Sequence, residues 1–160
     1  MTKFIITLAL ALVPTFFFGQ SVFDKFDGQD DVTSVVINKK AFEMLGEMKP
    51  EVKQKEAAKY MKMANNIESF RLFSTSSIKK ASELKSAFDS YRKKEGLEEL
   101  VRINSSGSNA VLIYMKQGKS SSKVKELLMF VDGGDKKGEE TVLISLTGDI
   151  DLANIDDLSK

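Results

Sequence analysis

The side chains able to do chemistry in this chain form a restricted set. Histidine and cysteine are both absent. Their absence removes imidazole general bases, the serine–histidine–aspartate triad and histidine-held zinc or copper. Thiol nucleophiles and thiolate metal sites go with them. Carboxylates, lysines, hydroxyls and 3 tyrosines remain. A lysine of lowered pKa can activate a serine. Ser77 and Lys80 have the S-x-x-K spacing of that chemistry, placed where a helix should start. The pairs Ser76/Lys79, Ser82/Lys85, Ser90/Lys93, Ser120/Lys123 and Ser122/Lys125 have it equally well. The chain is rich in both residues, and the partner motifs S-D-N and K-T-G do not occur in it. Capping and surface serines are the better reading.

Two other oxygen-based chemistries remain. A carboxylate-pair hydrolase needs one raised-pKa acid and one ionised acid, but nothing in the spacing of the 23 acids singles out a pair. Calcium needs only oxygen ligands. Asp24, Asp27, Asp30 and Asp31 cluster, as do Asp149, Asp151, Asp156 and Asp157. Phe26 falls on a ligand position if Asp24 opens an EF-hand loop, so that template fails and soluble acidic loops are expected. No G-x-G-x-x-G and no P-loop occurs. Gly133-Gly134 lies between two strand-like runs, without the helix N-terminus that phosphate binding uses. Asn104-Ser105-Ser106 is a formal glycosylation sequon that reads as part of a turn. No catalytic, cofactor or metal residue is assigned from the sequence.

Periodicity gives the elements that would position any site. Val32 to Ile37 is β-branched and reads as a strand, followed by a short helix over Lys40 to Gly46. Pro50 suits the first turn of a second helix, which should run to about Asn65. Its stripe of Val52, Ala57, Tyr60, Met61 and Ala64 is apolar, and Lys49, Lys53, Lys55, Lys59 and Lys62 sit mainly off it as a solvated face. Ile67 to Ser74 is the second strand. Thr75-Ser76-Ser77 caps a helix from Ile78 to Lys94, with Ile78, Ala81, Leu84, Phe88 and Tyr91 on one face and Gly96 as the stop. The period then changes to two. Strands are expected at Leu97–Asn104, Ala110–Lys116, Val124–Val131 and Thr141–Thr147. Val111, Ile113 and Met115 share a face, as do Val142, Ile144 and Leu146, and Gly148 should end the last strand. Leu152 to Leu158 fits a closing helical turn. The expected order is β-α-α-β-α-β-β-β-β. It implies an α+β domain of two layers, helices on one face of a mostly antiparallel sheet. The early strand–helix–strand units predict crossovers.

The N-terminus carries an address. Lys3 precedes an apolar run from Phe4 to Phe18, and Gly19 is a small residue at the expected cut. This is the layout of a secretory signal peptide over residues 1–19, leaving one domain over 20–160. The run is shorter than the roughly 20 residues of a membrane span and contains Pro14. Removing 1–19 takes one lysine and no acid and leaves 23 basic against 23 acidic residues. A nucleic-acid binder shows a basic excess, so none is expected. Without cysteine there is no lipid anchor at the cut and no disulfide brace. About 140 residues can bury roughly two-thirds of their unfolded surface, enough for a fold held by its core.

The segments LEELVR (Leu97–Arg102), KVKELLMFV (Lys123–Val131) and LISLTGDIDL (Leu143–Leu152) resemble the family catalogued as domain of unknown function 4252, found in exported proteins of Bacteroidota. Phe23-Asp-Lys-Phe26 and Val32 to Lys39 are similar to its start. Leu97 stands where the family often has an aromatic, and the lipobox cysteine of some members is missing. The resemblance implies export to the periplasm or beyond. Through the gene neighbourhood of extracytoplasmic-function sigma factors, it also implies a link to envelope-stress regulation. It carries no activity and no catalytic residues. The reading reached is a non-catalytic envelope module that binds another envelope protein or a peptide. It has no nucleic-acid partner and no stable membrane anchor once the signal is cut. A histidine-free hydrolase or a calcium-dependent protein is the alternative.

Overall fold

The computed structural model describes residues 22–47, 64–104, 110–134 and 138–152. A 3-10 turn, Asp24–Phe26, opens the chain. It is followed by β1 (Thr33–Asn38), α1 (Lys39–Glu47), β2 (Ile67–Thr75), α2 (Ile78–Lys94), β3 (Glu98–Ile103), β4 (Ala110–Gln117), β5 (Lys123–Asp132) and β6 (Thr141–Asp151). The fold is α+β, with one main helix and a six-stranded sheet. Most of the expected second helix, the turn after Asn104, the closing helical turn and the signal peptide lie outside the described residues. No helix among the described residues is long and apolar enough to cross a membrane.

The sheet order is β1-β2-β6-β5-β4-β3, and every neighbouring pair is antiparallel. The expected first crossover is therefore corrected: β1 and β2 are antiparallel neighbours, so the chain between them turns back. The crossover is the α2 unit, which carries the chain from β2, second in the sheet, to β3 at the far edge. The chain then returns through β4 and β5, and β6 closes the sheet against β2.

Local chemistry fixes the ends of α2. The Ser77 side chain accepts the Lys80 backbone amide at 3.5 Å. At the other end Gly96 has φ +64. Leu97 N–H reaches back to Arg92 C=O at 2.9 Å and Gly96 N–H to Lys93 C=O at 3.3 Å, the paired bonds of a Schellman stop. Gly148 corrects a second expectation, because β6 runs through it to Asp151. A Cβ at Gly148 would stand 2.1 Å from the Asn66 carbonyl oxygen. That oxygen accepts the Asp149 amide at 2.8 Å. The glycine is there to let two strands approach at an irregularity in register, which glycine does as readily as it ends a strand.

One face of the sheet and α2 enclose the core. Phe73, Leu128, Phe130 and Leu143 from the sheet meet Leu84, Ala87 and Phe88 from α2. The Phe88 ring stacks on Phe130 at 4.7 Å and meets Tyr114 edge-on at 5.7 Å. Phe23 and Phe26 are fully buried and pin the N-terminal turn, through Tyr91 and Phe73 respectively. Ile78, expected on the apolar face, is half exposed at the first position of α2.

The other face is apolar too. Strand registers stack its residues in three rows. The central row is Val35, Leu72, Ile144, Met129, Ile113 and Val101. One flank is Ile37, Phe70, Leu146, Leu127, Met115 and Glu98. The other flank is Thr33, Ser74, Val142, Val131, Val111 and Ile103. The stripes Val111/Ile113/Met115 and Val142/Ile144/Leu146 thus lie on the face turned away from α2. Not one of the apolar residues in the three rows is fully buried.

Candidate functional site

Among the described residues two of the six Ser/Lys pairs bring the serine onto its lysine's backbone amide, Ser77 through its side chain and Ser120 through its carbonyl, and both contacts are structural. Ser77 Oγ takes the Lys80 amide, while Lys80 Nζ donates to Gln29 Oε1 at 2.6 Å and lies 3.7 Å from Glu83. Lys85 turns to Asp132 at 2.5 Å and Lys123 to Asp149 at 2.8 Å. Among the described residues no lysine ammonium donates to its paired serine.

The acidic clusters also separate. Asp24 accepts from Arg71 Nε at 2.8 Å, and Asp27 accepts from Ser34 Oγ at 2.5 Å. Asp31 uses its backbone carbonyl to accept from Thr75. Among the described residues no group of three acids is placed to hold a metal ion. Asp156 and Asp157 lie outside them.

The fold assembles a polar constellation that the sequence did not announce. On the α2 face, cross-strand register lines up Ser69 of β2, Thr147 of β6, Glu126 of β5 and Lys116 of β4. Tyr91 of α2 and Glu95, the residue that closes the helix, reach this row. Ser69 Oγ and Thr147 Oγ1 share a hydrogen bond of 2.6 Å, and Arg71 Nη1 donates to Ser69 Oγ at 2.9 Å. Lys116 Nζ donates to Glu95 Oε2 at 3.1 Å. Tyr91 OH donates to Glu126 Oε2 at 2.9 Å.

Glu126 is 5% exposed, and its Oε1 has no hydrogen-bond partner among the described residues. Burial pushes its carboxyl above the usual range. The Tyr91 hydroxyl, Lys116 and Ser145 pull the other way and Glu95 adds to the rise. Burial, then the Glu126 charge and hydrogen bond, push the Tyr91 phenol up as well. Both groups therefore give up their protons less readily than they would in water. A buried carboxyl can act as an acid or base only where substrate reaches it. The concavity nearby, about 420 Å³ between Val22, Lys25 and the outer side of α2, meets the Tyr91 ring but is not lined by Glu126. One sequence signal pointed to Glu126: it shares the phase of Val124, Leu128 and Phe130, so a carboxylate is written into an inward position.

The two sheet edges differ. β3 carries Glu98, Glu99 and Arg102 and an irregular register between Glu99 and Val101, devices that discourage further pairing. The irregularity brings Glu99 and Arg102 into an ion pair, and Tyr114 OH donates to the same carboxylate at 2.7 Å. The Arg102 and Tyr114 hydrogen bonds hold the Glu99 carboxyl down to about 2. β1, by contrast, reads Thr-Ser-Val-Val-Ile-Asn, without charge, proline or glycine, in unbroken register with β2. Val35 and Val36 are 42% and 45% exposed. Among the described residues its backbone makes no hydrogen bond outside the ladder to β2.

A search of curated proteins and one of solved structures returned no match. The sequence does match one family model over residues 26–158, and the chain belongs to the family described as Domain of unknown function (DUF4252).

Proposed function

We propose that this chain is an exported, non-catalytic binding module of the cell envelope, which takes an extended segment of an envelope protein or peptide along strand β1. Residues 1–19 are its signal peptide, and the mature chain from about Gln20 acts in the periplasm or outside the cell. It is built in two layers, with α2 on one face of the sheet. The carrying observation is the bare β1 edge, uncharged and regular with exposed Val35 and Val36. An open edge offers a row of unpaired N–H and C=O groups, and an added strand gains main-chain hydrogen bonds there. The blunted β3 edge supports the same reading, since among the described residues β1 is the edge that carries no such device. An envelope-stress role would follow from what the bound segment belongs to.

A photoreactive residue at Val36, with a second at Leu100 on β3 as control, tests this in the cell envelope. The expected result is a specific adduct from position 36, mapped to an extended segment of one partner and lost in Val35→Lys. No specific adduct from position 36, or equal labelling from position 100, rejects the proposal.

A further inference from the structure

The β1 edge has opposite charges at its two ends. Exposed Asp30 and Asp31 stand just before the strand, and exposed Lys39 and Lys40 stand just after it. Between them Thr33–Asn38 carries no charge. Lys39 leans on Glu43 of α1, an exposed pair at 4.0 Å that holds it weakly. Every neighbouring pair in this sheet is antiparallel. A strand added to β1 in that sense lies with its start beside the lysines and its end beside the aspartates. It matches best if acids precede it and bases follow it. β1 itself is such a strand.

Two-fold symmetry fixes the register. Residues opposite each other in an antiparallel pair point to the same face, and successive residues alternate. A two-fold axis relating two such strands therefore passes where one residue meets its own copy. Centring on Val35 sets Thr33 opposite Ile37 and Ser34 opposite Val36. It also brings Asp31 level with Lys39 and Asp30 level with Lys40, at both ends of the ladder. Centring on Val36 sets those lysines level with Thr33 and Val32 instead. We infer that two copies of this chain pair antiparallel through β1, centred on Val35, and so close the edge that a captured segment would use. The inference rests on the open β1 edge of the proposed function and adds a control on it, because segment and second copy compete. The pairing stops at two, since β3 at the far edge carries Glu98, Glu99 and Arg102 and an irregular register. One short ladder buries little surface, so the contact is of the weak, exchanging kind.

Sedimentation velocity on the purified protein tests the pairing. The parent should shift from monomer to dimer as its concentration rises from about 1 to 500 µM. Val35 is 42% exposed, so the folded monomer tolerates a charge there. Val35→Lys and Val35→Glu each set like charges opposite one another on the axis, and each should weaken the dimer about tenfold or more. An equimolar mixture of the two sets opposite charges there and should recover it, which misfolded chains would not do. The chain has no cysteine, so Val35→Cys should give a disulfide-linked dimer under mild oxidation, while Leu100→Cys on β3 should not. A parent that stays monomeric at about 500 µM overturns the inference. So does a dimer that neither charge weakens, or a mixture that stays monomeric with no Val35→Cys crosslink. In those cases an adduct from position 36 to an envelope partner still upholds strand capture. A dimer without an adduct to any other protein rejects capture and leaves the pairing standing.

Discussion

Glu126→Gln isolates the buried carboxyl. The parent residue is 5% exposed, burial raises its pKa above 4.5, and its nearest charged neighbours are Lys116 and Glu95. A raised folded pKa on an acid means that the native chain holds a proton the unfolded chain has released. Stability from this group is therefore fully present below pH 4.5 and is lost as pH rises from there through the folded value. In that window the slope is about −1.4 kcal/mol per pH unit, one proton's worth of linkage. Glutamine cannot ionise, so its curve lacks this descent. The amide can accept from Tyr91 as Oε2 does, but it places an NH2 where Oε1 has no partner. That imposes a pH-independent cost of about 1–3 kcal/mol. The difference between the two curves should thus be flat below pH 4.5 and move in favour of the variant above it. Urea unfolding of both proteins at half-unit steps from pH 4 to 8 measures it. Asp132 and Asp149, held below their ordinary values, titrate on the acid side and cancel in the difference. Parallel curves across the whole range would refute the reasoning.

Three further outcomes follow from packing and local geometry. Phe88→Ala removes a ring seated between Phe130, Tyr114 and Arg92 and should cost about 3–5 kcal/mol in denaturant unfolding. Gly148→Ala drives a Cβ into the Asn66 carbonyl and should cost about 1–3 kcal/mol, with faster amide exchange at Asp149 as the local sign. Ser77→Ala removes the α2 cap. At 3.5 Å that bond is long, so a loss of about 0.5–1 kcal/mol is expected, visible as a lower urea midpoint at unchanged slope.

Much of this protein is local, and local features were legible in the sequence. The four-strand second half was read from period-two runs and turn residues, and α2 from its 3.6-residue stripe, its serine cap and Gly96. These depend on neighbours within a few positions, so the chain writes them down directly. The absence of histidine and cysteine bounded the chemistry in the same way. The tertiary structure decided what depends on distant pairing. Nothing in β6 itself says that it enters between β2 and β5. That insertion brings Ser69 beside Thr147 and Thr147 beside Glu126, across 78 and 21 positions of chain. Gly148 read as a stop because its role, admitting Asn66, belongs to another strand. The two faces of the sheet were indistinguishable by hydrophobicity because both are apolar. Only the placement of α2 told which stripe faces it as core.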